Sequence, residues 1–585
     1  MTVLQALDRN YDRVASRGEI EPLGVSRENI SFAIELARDG TPVTVLDLRA
    51  TNGRRLVPAL LAVPAAVKRT VAVMPNLFWD KSAYVLGRTA SEGTRTSKEH
   101  SAFKAANLGV LEGCDDPGLV ALRRFLESWT PEQFDAPPFF QEILDANIVF
   151  RLEGEHGFIH ERAAAKRLLA RRRDGDASET VCLLTGRKAP IRRLHPTIKG
   201  VDNAQSSGAA LVSFNLDAFT SYEKEQGDNA PVSEEAAFRY GAALNRLLDR
   251  RTSRNRIRIG DATVVFWADS SGVGEDAAKA AEDAMTAWFE PSAAENNDHD
   301  PAEAVKLWEA LKFVAEGRPI DKLGLGLKPR TRFYVLGLAP NAARLSVRYW
   351  LDDDFSQFAS RLAAHYHDLL IEPAPWRTPP SIQRLLVRTT ALQQKFENIP
   401  PLLAGELARA VLNGARYPRT LLSATVTRLR AGDNPGSGWH AAAIKACINR
   451  SEEEKVPESL DPRNHNPAYQ LGRLFALLEA AQYAALGRVN APIGDRYYAA
   501  ASATPARVFG PLLRGLRNHL SDARKRGRGG WIEPRIVDVM KQLPADLPRS
   551  LRLEDQGRFA VGYYHERANR VSRETNAEEP QGDQE

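Results

Sequence analysis

Hydrophobic periodicity changes character at about residue 380, and that change limits the possible folds more than any single motif. Ahead of it, apolar residues alternate in short runs between turn residues, the pattern of half-buried strands. Residues 30–36 and 43–48 alternate around Asp39-Gly40, a hairpin signal. Apolar runs follow at 56–63 and 71–74, and residues 97–111 read as a helix with Ser97 as N-cap. Residues 139–144 read as a short helix, 148–152 as a strand and 161–173 as a basic helix. Further on, Ser233 caps a helix to about Leu248, with Glu234 and Glu235 in its electropositive first turn. A second hairpin pairs 256–259 with 263–267 around Gly260-Asp261. Residues 277–297 begin helical and end in a polar loop, 302–315 read as a helix, and 332–337 and 344–350 read as strands.

Behind residue 380 the period becomes helical. Residues 382–396, 402–412, 418–430, 439–449, 467–486, 505–520, 538–543 and 554–569 are amphipathic, with Pro, Gly and Asn breaks between them. The expected class is α+β. The expected parts are a strand-rich domain (1–180), a central α/β region (181–380), a helical bundle (381–570) and a disordered acidic tail (571–585).

With 585 residues and 43% hydrophobic content the chain can bury several cores, roughly three or four domains by length. Its 79 basic and 74 acidic residues nearly balance at +5, which suits an anionic partner without demanding one. No run of 18 apolar residues exists and no signal-peptide core follows the N-terminal charges, so a soluble, cytoplasmic chain without a membrane partner is expected. Cys114, Cys182 and Cys447 are far apart and form no C-x-x-C pair; three buried, reduced thiols are expected.

The densest polar stretch runs from Leu183 to Val232. Gln205, Ser206, Ser207 and Asn215 offer hydrogen bonds there, and Arg192, Arg193 and Lys199 offer cations. Cations reach phosphates, while short amides and hydroxyls reach base edges, so the stretch reads as a nucleic-acid contact surface. A buried strand at 209–214 would anchor it. In PNLFWDKSAYVLG two readings stand. Asn76 and Lys81 sit at a loop tip and read a base and hold a phosphate, or Phe78 and Trp79 bury and Asp80 pairs with Lys81 in a core turn. Two basic clusters mark the helical region: Arg416, Arg419, Arg428 and Arg430, and Arg514, Arg517, Arg524, Lys525, Arg526 and Arg528. Both are nearly free of acids and suit single-strand backbone contact. Catalytic or metal sets are weak. His156 and His160 fall at i, i+4 but flank a glycine. Asp352, Asp353 and Asp354 read as a solvated turn; with Asp261 and Asp269 they would make a metal-dependent nuclease, the main rival reading. A scaffold meeting only proteins is the second rival.

The phrases CLLTG, HPTIKGV and QSSGAALVSFNLDAFTSYEKEQGDNAPVSEEAAFRY resemble the central signature of the large subunit of the type I-C CRISPR surveillance complex, Cascade. VLQALDRNYDRVASRGEIEPLGVSRENISFAIEL, GDATVVFWAD, VLGLAPNAARLSVRYW, NPAYQLGRLFALLE and GRFAVGYYHERA extend the resemblance, in order, over nearly the whole chain. The resemblance implies a non-catalytic subunit without cofactor that recognises the protospacer-adjacent motif on double-stranded DNA. It implies help in strand separation and R-loop formation and in recruiting a helicase-nuclease. The implied partners are crRNA, target DNA, the backbone and 5′-handle subunits, and a small subunit made from the same gene. Of the methionines, Met1, Met74, Met285 and Met540, none sits at the front of the last bundle segment. An internal start between about Val456 and Pro467 would therefore use another codon.

Overall fold

The computed structural model describes residues 1–52, 55–67, 69, 73–91, 93–173, 179–214, 216–289, 309–376, 379–393, 395, 398–487 and 489–578. It divides into two compact units: residues 7–196 with 213–243, and residues 1–6 with 197–212 and 244–585.

In chain order the elements begin with α1 (Val3–Ser16), β1 (Val25–Ile30), β2 (Phe32–Leu36), β3 (Pro42–Asp47), β4 (Ala50–Asn52), β5 (Arg55–Val57), β6 (Ala59–Pro64) and β7 (Asp80–Lys81). Then come α2 (Ser82–Val85), α3 (Thr96–Leu111), α4 (Pro117–Ser128), β8 (Asn147–Leu152), α5 (Ala163–Arg173), β9 (Glu179–Val181), β10 (Lys188–Pro190), β11 (Thr197–Ile198) and β12 (Ala209–Ala210). The central elements are α6 (Glu234–Leu248), β13 (Arg256–Ile259), β14 (Ala262–Ala268), α7 (Glu275–Phe289), β15 (Arg332–Asn341), β16 (Arg344–Asp354) and α8 (Phe355–Asp368). Helices α9 (Ile382–Thr389), α10 (Pro401–Asn413), α11 (Arg419–Arg430), α12 (Gly438–Ser451), α13 (Pro467–Leu486), α14 (Ile493–Ala501), α15 (Pro505–Lys525), α16 (Ile532–Lys541) and α17 (Leu553–Glu578) complete the chain.

In the first unit β3, β2, β8 and β7 form one sheet, with β2 and β8 parallel. The central strands β2 and β8 bury both faces. Phe32, Ile34 and Leu36 join Phe125 and Phe150 in one cluster, while Ala33 and Val149 face Trp79 and Val63 in another. Side chains alternate across a strand, so one short strand serves two cores.

In the second unit the sheet order is β11-β12-β16-β15-β14-β13. The expected 256–267 hairpin forms, and every residue of β14 is buried. That explains its nearly continuous apolar run, Ala-Thr-Val-Val-Phe-Trp-Ala, in which only Thr263 is polar. One hydrophobic core holds residues from Ile257 to Tyr564, so the change of periodicity near 380 falls inside continuous packing. Helices α13 and α17 cross so closely that a Cβ on Gly472 would lie 2.0 Å from the Phe559 carbonyl, and one on Gly562 would lie 2.2 Å from that of Tyr469. Beside this crossing, Glu566 accepts from buried Arg473 at 2.9 Å and pairs with Arg535 at 2.7 Å.

The α+β class stands. Several local expectations do not. Helix α3 begins at Thr96 behind Arg95, with no side-chain cap from Ser97. The 139–144 helix is only a 3-10 turn at Gln141–Ile143. The 209–214 strand pairs over two residues. The 382–396 helix stops at Thr389; Leu392 and Gln393 then take positive φ, which no helix tolerates. Helix α17 runs to Glu578, through the front of the tail expected to be disordered. Cys182 and Cys447 are buried, but Cys114 is only half-buried. Residues 71–72, 215, 290–308, 394, 396–397 and 579–585 lie outside the described residues. Parts of the 71–74, 277–297, 302–315 and 382–396 readings, and Asn215 itself, fall there.

Candidate nucleic-acid interface

The exposed polar loop lies between β11 and β12, at the edge of the six-stranded sheet. Gln205, Ser206 and Ser207 are exposed at its tip, closed by a Gly208 N–H to Gln205 carbonyl bond of 2.8 Å. Its root is locked by Asp202. That carboxylate accepts from Arg250 at 2.6 Å and from the Thr263 hydroxyl at 3.0 Å, and it forms an ion pair with Arg256 at 2.6 Å. Arg256 also donates to the Gly200 carbonyl at 3.2 Å. The Lys199 N–H donates to Asn245 Oδ1, while its exposed ammonium has no ion-pair partner among the described residues. A rigid stem thus presents three short polar side chains and a cation. That is the form base-edge and phosphate contact needs. The sequence reading missed Asp202, Arg250 and Arg256, because a lock between residues some fifty positions apart leaves no local signal.

Asn76 is a correction. It is 3% exposed. Its Oδ1 accepts from the Val67 N–H at 2.9 Å, and its own N–H donates to Asp80 at 2.9 Å. The core-turn reading describes this segment: Phe78 and Trp79 are buried. Asp80 pairs with Arg69, however, not with the exposed side chain of Lys81. Burial pushes the Asp80 carboxyl above its usual range, against the pull of Arg69. Asn76 holds a turn and cannot reach a base in this arrangement.

Arg192 and Arg193 are exposed but not free. Arg192 faces Glu234 at 3.7 Å and Arg193 faces Glu225 at 3.3 Å. Such surface pairs contribute about 0–1 kcal/mol, so a phosphate can displace either carboxylate.

The two C-terminal basic clusters differ. On α15, Val508, Phe509, Leu512, Leu516 and Ala523 face the core. Arg507, Arg514, Arg517 and Lys525 lie on the opposite, exposed face. At 1.5 Å per residue this face spans about 27 Å. Arg507, Arg514, Arg517 and Arg526 have no ion-pair partner among the described residues; Lys525 reaches only Asp522 of its own helix, at 3.2 Å. Arg524 pairs with Glu533. Arg507 was missed, although it precedes Arg514 by seven residues, two helical turns along the same face. In the other cluster Arg419 pairs with Glu554 at 2.9 Å, Arg428 pairs with Asp433, and Arg430 donates to Gln556 at 3.4 Å. Among its four arginines only Arg416 is open within the described residues.

The nuclease set does not assemble. Asp261 and Asp269 flank the two ends of β14, and eight residue steps at about 3.4 Å each separate them by roughly 27 Å. Asp261 pairs with Arg348 at 2.5 Å and Asp352 with Arg332 at 2.5 Å. The acidic triplet is therefore the end of β16, not a solvated turn. His160 is buried against the Ala62 carbonyl at 3.0 Å, and the 156–160 segment is not an α-helix. Among the described residues no group of three or more His, Cys, Asp or Glu is placed to hold a metal. No described helix is long and apolar enough to cross a membrane.

A family model described as CRISPR-associated protein (Cas_Csd1) matches residues 7–571. The match spans nearly the whole chain, and the protein belongs to this CRISPR-associated family. No curated protein matches it.

Proposed function

We propose that the chain is the large subunit of a type I-C CRISPR RNA-guided surveillance complex, acting by binding rather than by catalysis. In this reading it contacts duplex DNA at the protospacer-adjacent motif, aids strand separation and R-loop formation, and helps recruit the helicase-nuclease. The observation that carries it, beside family membership, is the row of Arg507, Arg514 and Arg517 along α15, without ion-pair partners among the described residues, which suits a sugar-phosphate backbone. In this reading the locked loop with Gln205, Ser206 and Ser207 reads base edges. Lys199 and, after displacement of their carboxylates, Arg192 and Arg193 hold phosphates.

The same reading extends to a small subunit made from the C-terminal part. A product starting between about Val456 and Pro467 keeps the α13–α17 crossing and the Arg473–Glu566–Arg535 cluster. It loses α12, whose Ile444 and Ile448 lie against Gly557 of α17.

The test reconstitutes the complex with guide RNA and the neighbouring subunits and follows strand opening on targets with and without the motif. Substituting Gln205 should cost about 1–3 kcal/mol on the motif-bearing target alone. Equal opening with and without this chain would overturn the proposal.

A further inference from the structure

Residues 216–225 form ten consecutive exposed positions in the first unit. At their apex, Ser221 to Lys224 make a tight turn closed by a Lys224 N–H to Ser221 carbonyl bond of 3.0 Å. Its two central residues, Tyr222 and Glu223, have φ of 52° and 60°. Positive φ at both positions defines a type I′ turn, which Asn-Gly normally occupies because a Cβ is strained there. A bulky aromatic in that place is an outlier. Packing does not account for it, because Tyr222 is 93% exposed.

The strain is held by what surrounds it. Asn229 Oδ1 accepts from the Ser221 N–H at 3.1 Å, and its amide nitrogen donates to the carbonyls of Lys224 and Gln226. Arg193 donates to Gln226 and reaches Glu225. Gly227 is buried, and its N–H donates to the Arg193 carbonyl at 3.1 Å. A pinned turn therefore keeps a rigid tyrosine in water. Strain maintained at a place with no structural return points to recognition.

Two more apolar side chains accompany it, Leu216 at 55% and Phe219 at 37% exposure. The charge around them is negative: residues 216–228 carry four carboxylates, against Lys224 of the segment and Arg193 beside Glu225. A polyanion is disfavoured by that field, whereas a protein with an apolar pocket and a basic rim is complementary to it. Tyrosine is also a favoured interface anchor, because it brings large area at low entropy cost.

We propose that the 216–225 loop is a protein-docking element, with Tyr222 inserting into an apolar pocket ringed by basic residues on another subunit. The partner assignment rests on the large-subunit reading above. The probe is the guide-RNA-bound assembly of backbone and 5′-handle subunits lacking this chain, titrated with the full-length protein. Tyr222→Ala should weaken binding at least ~10-fold, as loss of an anchor does. Tyr222→Gly should weaken binding equally while leaving the melting temperature unchanged or raised, since glycine relieves the positive φ. Glu223→Lys should slow association at low salt. Wild-type affinity for both Tyr222 variants would overturn the proposal alone. If wild-type protein itself fails to join, the large-subunit reading falls and the docking role falls with it. If the variants join normally but the protein alone loses affinity for single-stranded oligonucleotide, Tyr222 stacks on bases and the protein-docking role is wrong.

Discussion

Two stretches of the helical region carry similar strings of arginine, and the fold uses them in opposite ways. Along α15 the guanidiniums of Arg507, Arg514 and Arg517 face water without carboxylate partners among the described residues. Along α11 and just behind it, Arg419, Arg428 and Arg430 meet Glu554, Asp433 and Gln556. Those partners lie as many as 135 residues away. A cation already satisfied inside the protein has little left to offer a phosphate. A free one keeps its full attraction and releases counterions when it binds.

The sharpest way to probe the paired side is at its buried extreme. Glu566 is 2% exposed between Arg473 and Arg535. Glu566→Ala should cost about 3–5 kcal/mol in urea unfolding, because it strands buried Arg473 and leaves half-buried Arg535 without its carboxylate. A loss below about 1 kcal/mol would mean that water reaches the cluster.

Arg428→Ala should cost about 1–3 kcal/mol and leave oligonucleotide affinity unchanged, since Asp433, beside buried His440 at 3.2 Å, loses its main partner. Weakened DNA binding without destabilisation would erase the distinction between the two clusters.

His365 extends the comparison to pH. It is fully buried against the Tyr417 hydroxyl at 2.6 Å. Burial, aided by Arg450, pushes its pKa down to about 3. The unfolded chain takes up this proton near pH 6.5, and the folded chain does so only near 3. Stability on this account is full above pH 6.5 and is lost as pH falls toward 3. His365→Gln should reduce the slope near pH 5 by about 1.4 kcal/mol per pH unit, read from unfolding midpoints across pH. An unaltered slope would show that the ring charges inside the fold.

The smallest effect is on the open side. Arg514→Ala with Arg517→Ala should leave the melting temperature unchanged. It should also flatten the salt dependence of single-strand binding by about 0.7 per lost contact. The same slope in the double variant as in wild type would put the strand elsewhere.

Much of the helical region was legible because its signals are local. Helix α13 has the bounds that its periodicity and Pro467 set. Helices α10 and α12 begin and end within one or two residues of expectation. The 256–267 hairpin follows from alternation around a Gly-Asp turn. At the candidate site, the exposed tip at Gln205 to Ser207 and the cations of α15 were also readable, as polar residues on a turn and charges at helical spacing.

The rest depended on partners distant in sequence. Asn76 carries the amide a reader needs, yet Val67 and Asp80 use it inside a turn. Asp352 resembles a metal ligand until Arg332 is placed beside it. Tyr222 reads as an ordinary loop aromatic, and only its φ and exposure mark it out. Composition and periodicity by themselves determined the α+β class, the long amphipathic helices and the 256–267 hairpin, and which residues were polar enough to bind. Tertiary structure alone decided which of those groups stay free, because satisfying a charge or an amide takes a partner within about 3 Å, and chain folding, not sequence spacing, supplies it.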